Sequence, residues 1–126
     1  MKYFLQFSLT LALLVAAQSL YAQDSYRYKG TIGIMKVSMN FTNQWSDYFT
    51  TYTGAYSYDK VGVDISLRGC WLGRTESIEL VEVAEDKVTG FFSLKFDPKE
   101  SVNLLTGTWT SLDKKRSYPV RLVRQQ

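Results

Sequence analysis

The 126-residue chain has no histidine, one cysteine and two prolines. Each scarcity removes a class of chemistry. With Cys70 alone and no histidine, no Cys/His zinc site, Ser-His-Asp triad or Cys-His nucleophile can assemble. A single thiol forbids an internal disulfide, so stability must come from packing; Cys70 either pairs between molecules or is a small buried hydrophobe. Only carboxylates, tyrosines and lysines are left for acid/base work. No spacing suggests a metal or a cofactor.

A sustained helical period is also missing. From Tyr26 onward the chain runs in short alternating segments broken by turn residues about every ten positions, the pattern of an all-β meander. The one long apolar run is at the start: Lys2, then Phe4 to Ala17 interrupted only by Gln6, Ser8 and Thr10, then a polar break ending at Ala22. This predicts a secretory signal peptide over 1–22, cleaved after Ala22, and a periplasmic or secreted single domain over 23–126. No cysteine at that junction indicates a lipid anchor. Removing Lys2 lowers the formal charge from +3 to +2, 14 basic against 12 acidic side chains. The one basic bias, Lys114, Lys115 and Arg116 with Arg121 and Arg124, comes without an aromatic platform or a nucleic-acid motif, so it predicts solvated turn residues and no nucleic-acid partner.

What the chain does have is a phrase used three times, T-G-x-aromatic-S/T, at Thr53–Ser57, Thr89–Ser93 and Thr106–Thr110. Residues two apart share a strand face, so Gly54 and Tyr56, Gly90 and Phe92, and Gly107 and Trp109 face the same side. Glycine lets the strand bend and the ring covers the gap, a device of closed sheets. Eight strands are predicted: 26–32, 34–41, 52–58, 63–69, 77–84, one ending near Phe96, one over about 102–110, and one carrying Tyr118, Val120 and Leu122. They would form an eight-stranded antiparallel up-and-down barrel of the avidin or lipocalin shape. Strands shorter than membrane strands, with Lys36, Asp64, Arg68, Glu79, Lys95 and Arg121 facing outward, argue against a membrane-spanning barrel.

Phe41, Tyr56, Tyr58, Phe92, Phe96, Trp109 and Tyr118 all fall on the inner face, which predicts a mostly filled interior. Any cavity would be shallow and open at one end, lined by Tyr56, Tyr58 and Trp109. Parity also puts Glu82 inside. That carboxylate either meets water at a strand end, pairs with an inward Arg such as Arg124, or orients a ligand. Glu79 and Asp64 face outward, so no carboxylate pair for hydrolysis is expected and the protein is not read as an enzyme. Two connections are unusually aromatic: 42–51, with Trp45, Tyr48 and Phe49, and 69–74, with Cys70, Trp71 and Leu72. They either cap the barrel or present rings to a partner.

The three T-G-x-aromatic segments resemble strand phrases of the avidin family, which implies an eight-stranded barrel; no ligand residues of that family map onto this chain. The order Tyr28–Gly33, Gly54–Tyr58, Ile65–Gly69, Ile78–Glu82, Val88–Phe92 and Gly107–Thr110 resembles a group of uncharacterised small exported bacterial β-barrel proteins, which implies a fold and a compartment. Two functions follow as expectations. One is a binding module holding a small amphipathic molecule with Tyr56, Tyr58, Glu82 and Trp109. The other is an interaction module, or an inhibitor of a secreted or cell-wall-active enzyme, docking through Trp45, Tyr48, Phe49, Trp71 and Leu72. Monomer and homodimer both stay open.

Overall fold

The computed structural model describes residues 23–45 and 47–126, so the leader lies outside the described residues. Eight strands follow in order: β1 (Gln23–Ile32), β2 (Met35–Trp45), β3 (Thr50–Tyr58), β4 (Ile65–Leu72), β5 (Ser77–Ala84), β6 (Lys87–Asp97), β7 (Ser101–Ser111) and β8 (Ser117–Arg124). Each pairs antiparallel with the next, and β8 returns to β1 from Ile32↔Val120 to Tyr28↔Arg124, closing the barrel. The up-and-down architecture read from the repeat is the one observed.

Alternation drives the closure. On β2, Val37, Met39 and Phe41 are buried while Lys36 and Asn40 are exposed, and neighbouring strands repeat the pattern. Burying one face of eight such strands leaves no exposed sheet edge. Tyr56, Phe92 and Trp109, the rings of the repeat, are all buried. Gly107 shows why glycine precedes the ring: a Cβ there would stand 1.8 Å from the Ser93 carbonyl oxygen of the next strand.

Up-and-down order divides the connections between two rims. The distal rim carries the β1–β2, β3–β4, β5–β6 and β7–β8 turns. The terminal rim carries the β2–β3, β4–β5 and β6–β7 connections together with the start of β1 and the end of β8. Inside the terminal half, Tyr28 and Phe41 stack at 5.4 Å and Tyr52 meets Phe41 edge-on at 5.5 Å. In the distal half Tyr56 packs edge-on against Phe92 at 5.2 Å. A mostly filled interior is what these rings produce.

Several boundaries move. β2 extends to Trp45 and β4 to Leu72, so Trp45, Cys70, Trp71 and Leu72 are strand residues, not loop residues. The expected ten-residue connection shrinks because cross-strand pairing continues through Trp45↔Thr50. β4 starts at Ile65, which leaves Val63 and Asp64 in the preceding turn and Val63 64% exposed instead of in the core. Tyr118 stands at the distal rim, exposed on one side. Strands of 8 to 11 residues also match membrane strands in length, so length does not separate the two classes. Sidedness does: the core is apolar, and Arg27, Lys29, Lys36, Arg68, Lys95 and Arg121 are exposed outside. No helix among the described residues is long and apolar enough to cross a membrane.

Candidate functional site

The sequence-predicted residues fall into two groups at opposite ends of the barrel. Tyr56, Tyr58, Glu82 and Trp109 converge in the distal half. Glu82 is buried and accepts three hydrogen bonds: from the Tyr56 hydroxyl to Oε2 at 2.5 Å, from Trp109 Nε1 to Oε2 at 2.7 Å, and from Thr89 Oγ1 to Oε1 at 2.8 Å. All three donors are neutral. The expected Arg124 partner is at the other end, its guanidinium 5.0 Å over the Tyr26 ring, because β8 reaches the terminal rim where β5 reaches the distal one. The strand-end alternative fails as well, since Glu82 is only 6% exposed.

Two local features build this knot. The β5–β6 register slips by one: Glu82 pairs with Gly90 and Val83 with Val88, so Thr89 is the extra residue of a bulge. A bulge re-aims a side chain, and here it turns the Thr89 hydroxyl from the outer wall toward Glu82. Gly90 makes room beside it, for a Cβ at that position would lie 2.7 Å from Trp109 Nε1. The β5–β6 turn just beyond is the two-residue Glu85-Asp86, both with positive φ (52° and 64°), the backbone of the tight hairpin turn whose twist matches that of its strands.

Burial first, then the hydrogen bond to and charge of Glu82, push the Tyr56 hydroxyl well above its ordinary range. It therefore remains a protonated donor. Trp109 stacks on Tyr118 at 5.8 Å and 12°, and the Arg116 guanidinium lies 5.8 Å from the indole centroid. The carboxylate is thus capped by aromatic rings and satisfied by its own neighbours. Glu79 sits on the outer wall between Cys70 and Ser93, and Asp64 is exposed in a turn, so these acids do not share a face with Glu82.

Trp45, Tyr48, Phe49, Trp71 and Leu72 gather at the terminal rim. Tyr48 is 93% exposed and Phe49 63%, with Trp45 and Leu72 at 43% and 42%. Trp71 is half-buried, stacked on Phe96 at 5.8 Å. The exposed side chains Asp47, Arg74, Glu76, Lys99 and Glu100 belong to the same three connections. Up-and-down topology is what brings them together: the β2–β3 and β4–β5 connections must emerge at one end.

Thr89 is the residue that sequence reading missed. Parity assigns it outward, and the only local sign was the polar Glu85-Asp86-Lys87 turn, which gives no hint of a register slip. Cys70, read as a buried hydrophobe or an intermolecular partner, is half-buried on the outer wall with a free thiol. Among the described residues no cluster of three or more Cys, Asp or Glu is placed to hold a metal. No family model, curated protein or solved structure matches the chain.

Proposed function

We propose that this barrel is an exported protein-interaction module that docks a partner protein through its terminal rim. The observation that carries this reading is the gathering of Trp45, Tyr48, Phe49 and Leu72, all exposed, at one end of a filled barrel. Large aromatic side chains ringed by charged ones have the composition of an interface centre with its polar border. Rigid strand ends hold Trp45 and Leu72, which lowers the entropy lost on docking. The leader reading puts the partner outside the cytoplasm, and a secreted or cell-wall-active enzyme, blocked when the rim covers its cleft, fits that compartment.

The test is site-specific photocrosslinking. A benzoylphenylalanine at position 48 should capture a discrete exported protein, and the same probe at position 112 on the distal rim should not. Purified, that protein should bind the Trp45→Ala/Tyr48→Ala variant on the order of a hundredfold more weakly. Equal capture from both rims, or unchanged affinity in the double variant, overturns the reading.

A second reading keeps the small amphipathic molecule at the distal mouth. Its support is a hollow of about 270 Å³ lined by Ile32, Gly33, Ile34, Met35, Tyr58 and Tyr118. Such a ligand reaches Glu82 only by displacing Tyr56 or Trp109 from it. Glu82→Gln should then weaken ligand binding, and unchanged affinity sinks that role.

A further inference from the structure

Away from both rims, the outer wall of β4 to β7 carries a groove of about 570 Å³ lined by Arg68, Cys70, Glu79, Val81, Phe91 and Thr108 among others. Its floor is apolar: Val81 and Phe91 are opposite one another in register, and Phe91 is 36% exposed. Into this apolar surface the fold sets a carboxylate. Glu79 Oε2 is buried from solvent and has no hydrogen-bond partner. A carboxylate oxygen removed from water without a donor is costly, and folded proteins rarely leave one so.

A charged donor lines the same groove on the neighbouring strand. Arg68 is exposed on β4, two residues from Cys70, which is the register partner of Glu79. One groove therefore holds an available guanidinium, an unsatisfied carboxylate and an apolar floor between strands. A surface bearing both signs is complementary to itself, and a two-fold axis turns one such pair into two. On the opposite wall, β8, β1 and β2 expose Arg121, Arg27, Lys29 and Lys36 against Asp24 at the start of β1, whereas the β4–β7 wall exposes Arg68, Lys87 and Lys95 around Glu79.

We propose that the β4–β7 wall is the interface of a two-fold homodimer in which Arg68 pairs with the partner's Glu79, and Glu79 with the partner's Arg68. Phe91 and Val81 of the two copies then close over each other, and the charged pairs set the register. The rims project from both ends of such a dimer, so docking at the terminal rim is independent of it.

Charge exchange gives a decisive test by native mass spectrometry and light scattering. The wild-type mature chain should be dimeric. Arg68→Glu and Glu79→Arg should each weaken self-association on the order of a hundredfold, since each leaves like charges facing across the axis. Mixed in equal amounts, the two variants should form a heterodimer, because one carries an acid at both positions and the other a guanidinium at both. Phe91→Ser should give a monomer by removing the apolar floor, and it serves if either charge variant fails to fold. A monomeric wild type, dimeric single variants, or a mixture that stays monomeric overturns the proposal.

Discussion

The two ends of this barrel use aromatic side chains in opposite ways. At the distal end Tyr56 and Trp109 are buried and turn their polar atoms onto Glu82, while Tyr118 and Arg116 lie over the indole. At the terminal end the rings of Tyr48 and Phe49 are mostly in solvent and outside the core cluster. The first arrangement is internally satisfied: every donor has its acceptor, so it contributes uniqueness of packing and offers little to a ligand. The second leaves apolar area uncovered at a cost in solubility, which an interface would recover. Similar rings therefore carry different meanings, set by whether the fold itself already covers them.

The contrast breaks most sharply at Glu82. Glu82→Ala leaves the Tyr56 hydroxyl, Trp109 Nε1 and Thr89 hydroxyl without their acceptor and opens a void, and should lower unfolding free energy by about 3–5 kcal/mol. Glu82→Gln keeps the shape and an acceptor oxygen, so urea denaturation should show a much smaller loss. Equal losses would mean that the charge itself, not the acceptor geometry, holds the knot.

Gly90→Ala should come next, at about 1–3 kcal/mol, because the new methyl collides with the indole nitrogen and forces Trp109 off its rotamer or off Glu82. Tryptophan fluorescence should shift in this variant as that indole is displaced; an unchanged spectrum and melt would show that the bulge yields instead.

Alkaline titration tests the buried rings of both halves by another route. Burial raises the Tyr28 hydroxyl to about 12 from 10.0, and raises Tyr52 and, with Glu82, Tyr56 in the same direction. A proton held more tightly in the folded state stabilises it fully below pH 10, and that stability is lost as pH rises toward 12. The melting temperature should fall steeply across that window, and Tyr28→Phe should flatten part of the fall.

The smallest effect on stability is expected at the terminal rim. Tyr48→Ser should change unfolding free energy by no more than about 0.5 kcal/mol. A larger loss would make the rim a structural cap and weaken its case as a docking surface.

Barrel topology was legible because period-two alternation is local and survives in every strand, and Glu82 was legible as an inward acid for the same reason. Its partners were harder. Tyr56 and Trp109 were visible as inward rings, but that both aim at one carboxylate depends on the register between β3, β5 and β7. Thr89 was hidden altogether, since a single bulge residue reverses parity without a marker of its own. The limits of β2 and β4 were misread because Thr42 to Trp45 and Cys70 to Leu72 look loop-like until cross-strand pairing is added. The unsatisfied Glu79 oxygen is likewise a property of four assembled strands, and no run of sequence shows it.

Closure of β8 onto β1 has a practical consequence for engineering. The Gln125 amide donates to the Arg27 carbonyl at 2.7 Å, so the start of β1 and the end of β8 run side by side at the terminal rim. A tag or display fusion attached directly to the start of β1 or the end of β8 would stand beside Tyr48 and Leu72 and shade the surface under test. A circular permutant of residues 23–126 that joins those two positions by a short linker and reopens the chain in the exposed 59–64 turn should keep all eight strands paired, and would move the attachment point to the far side of the molecule.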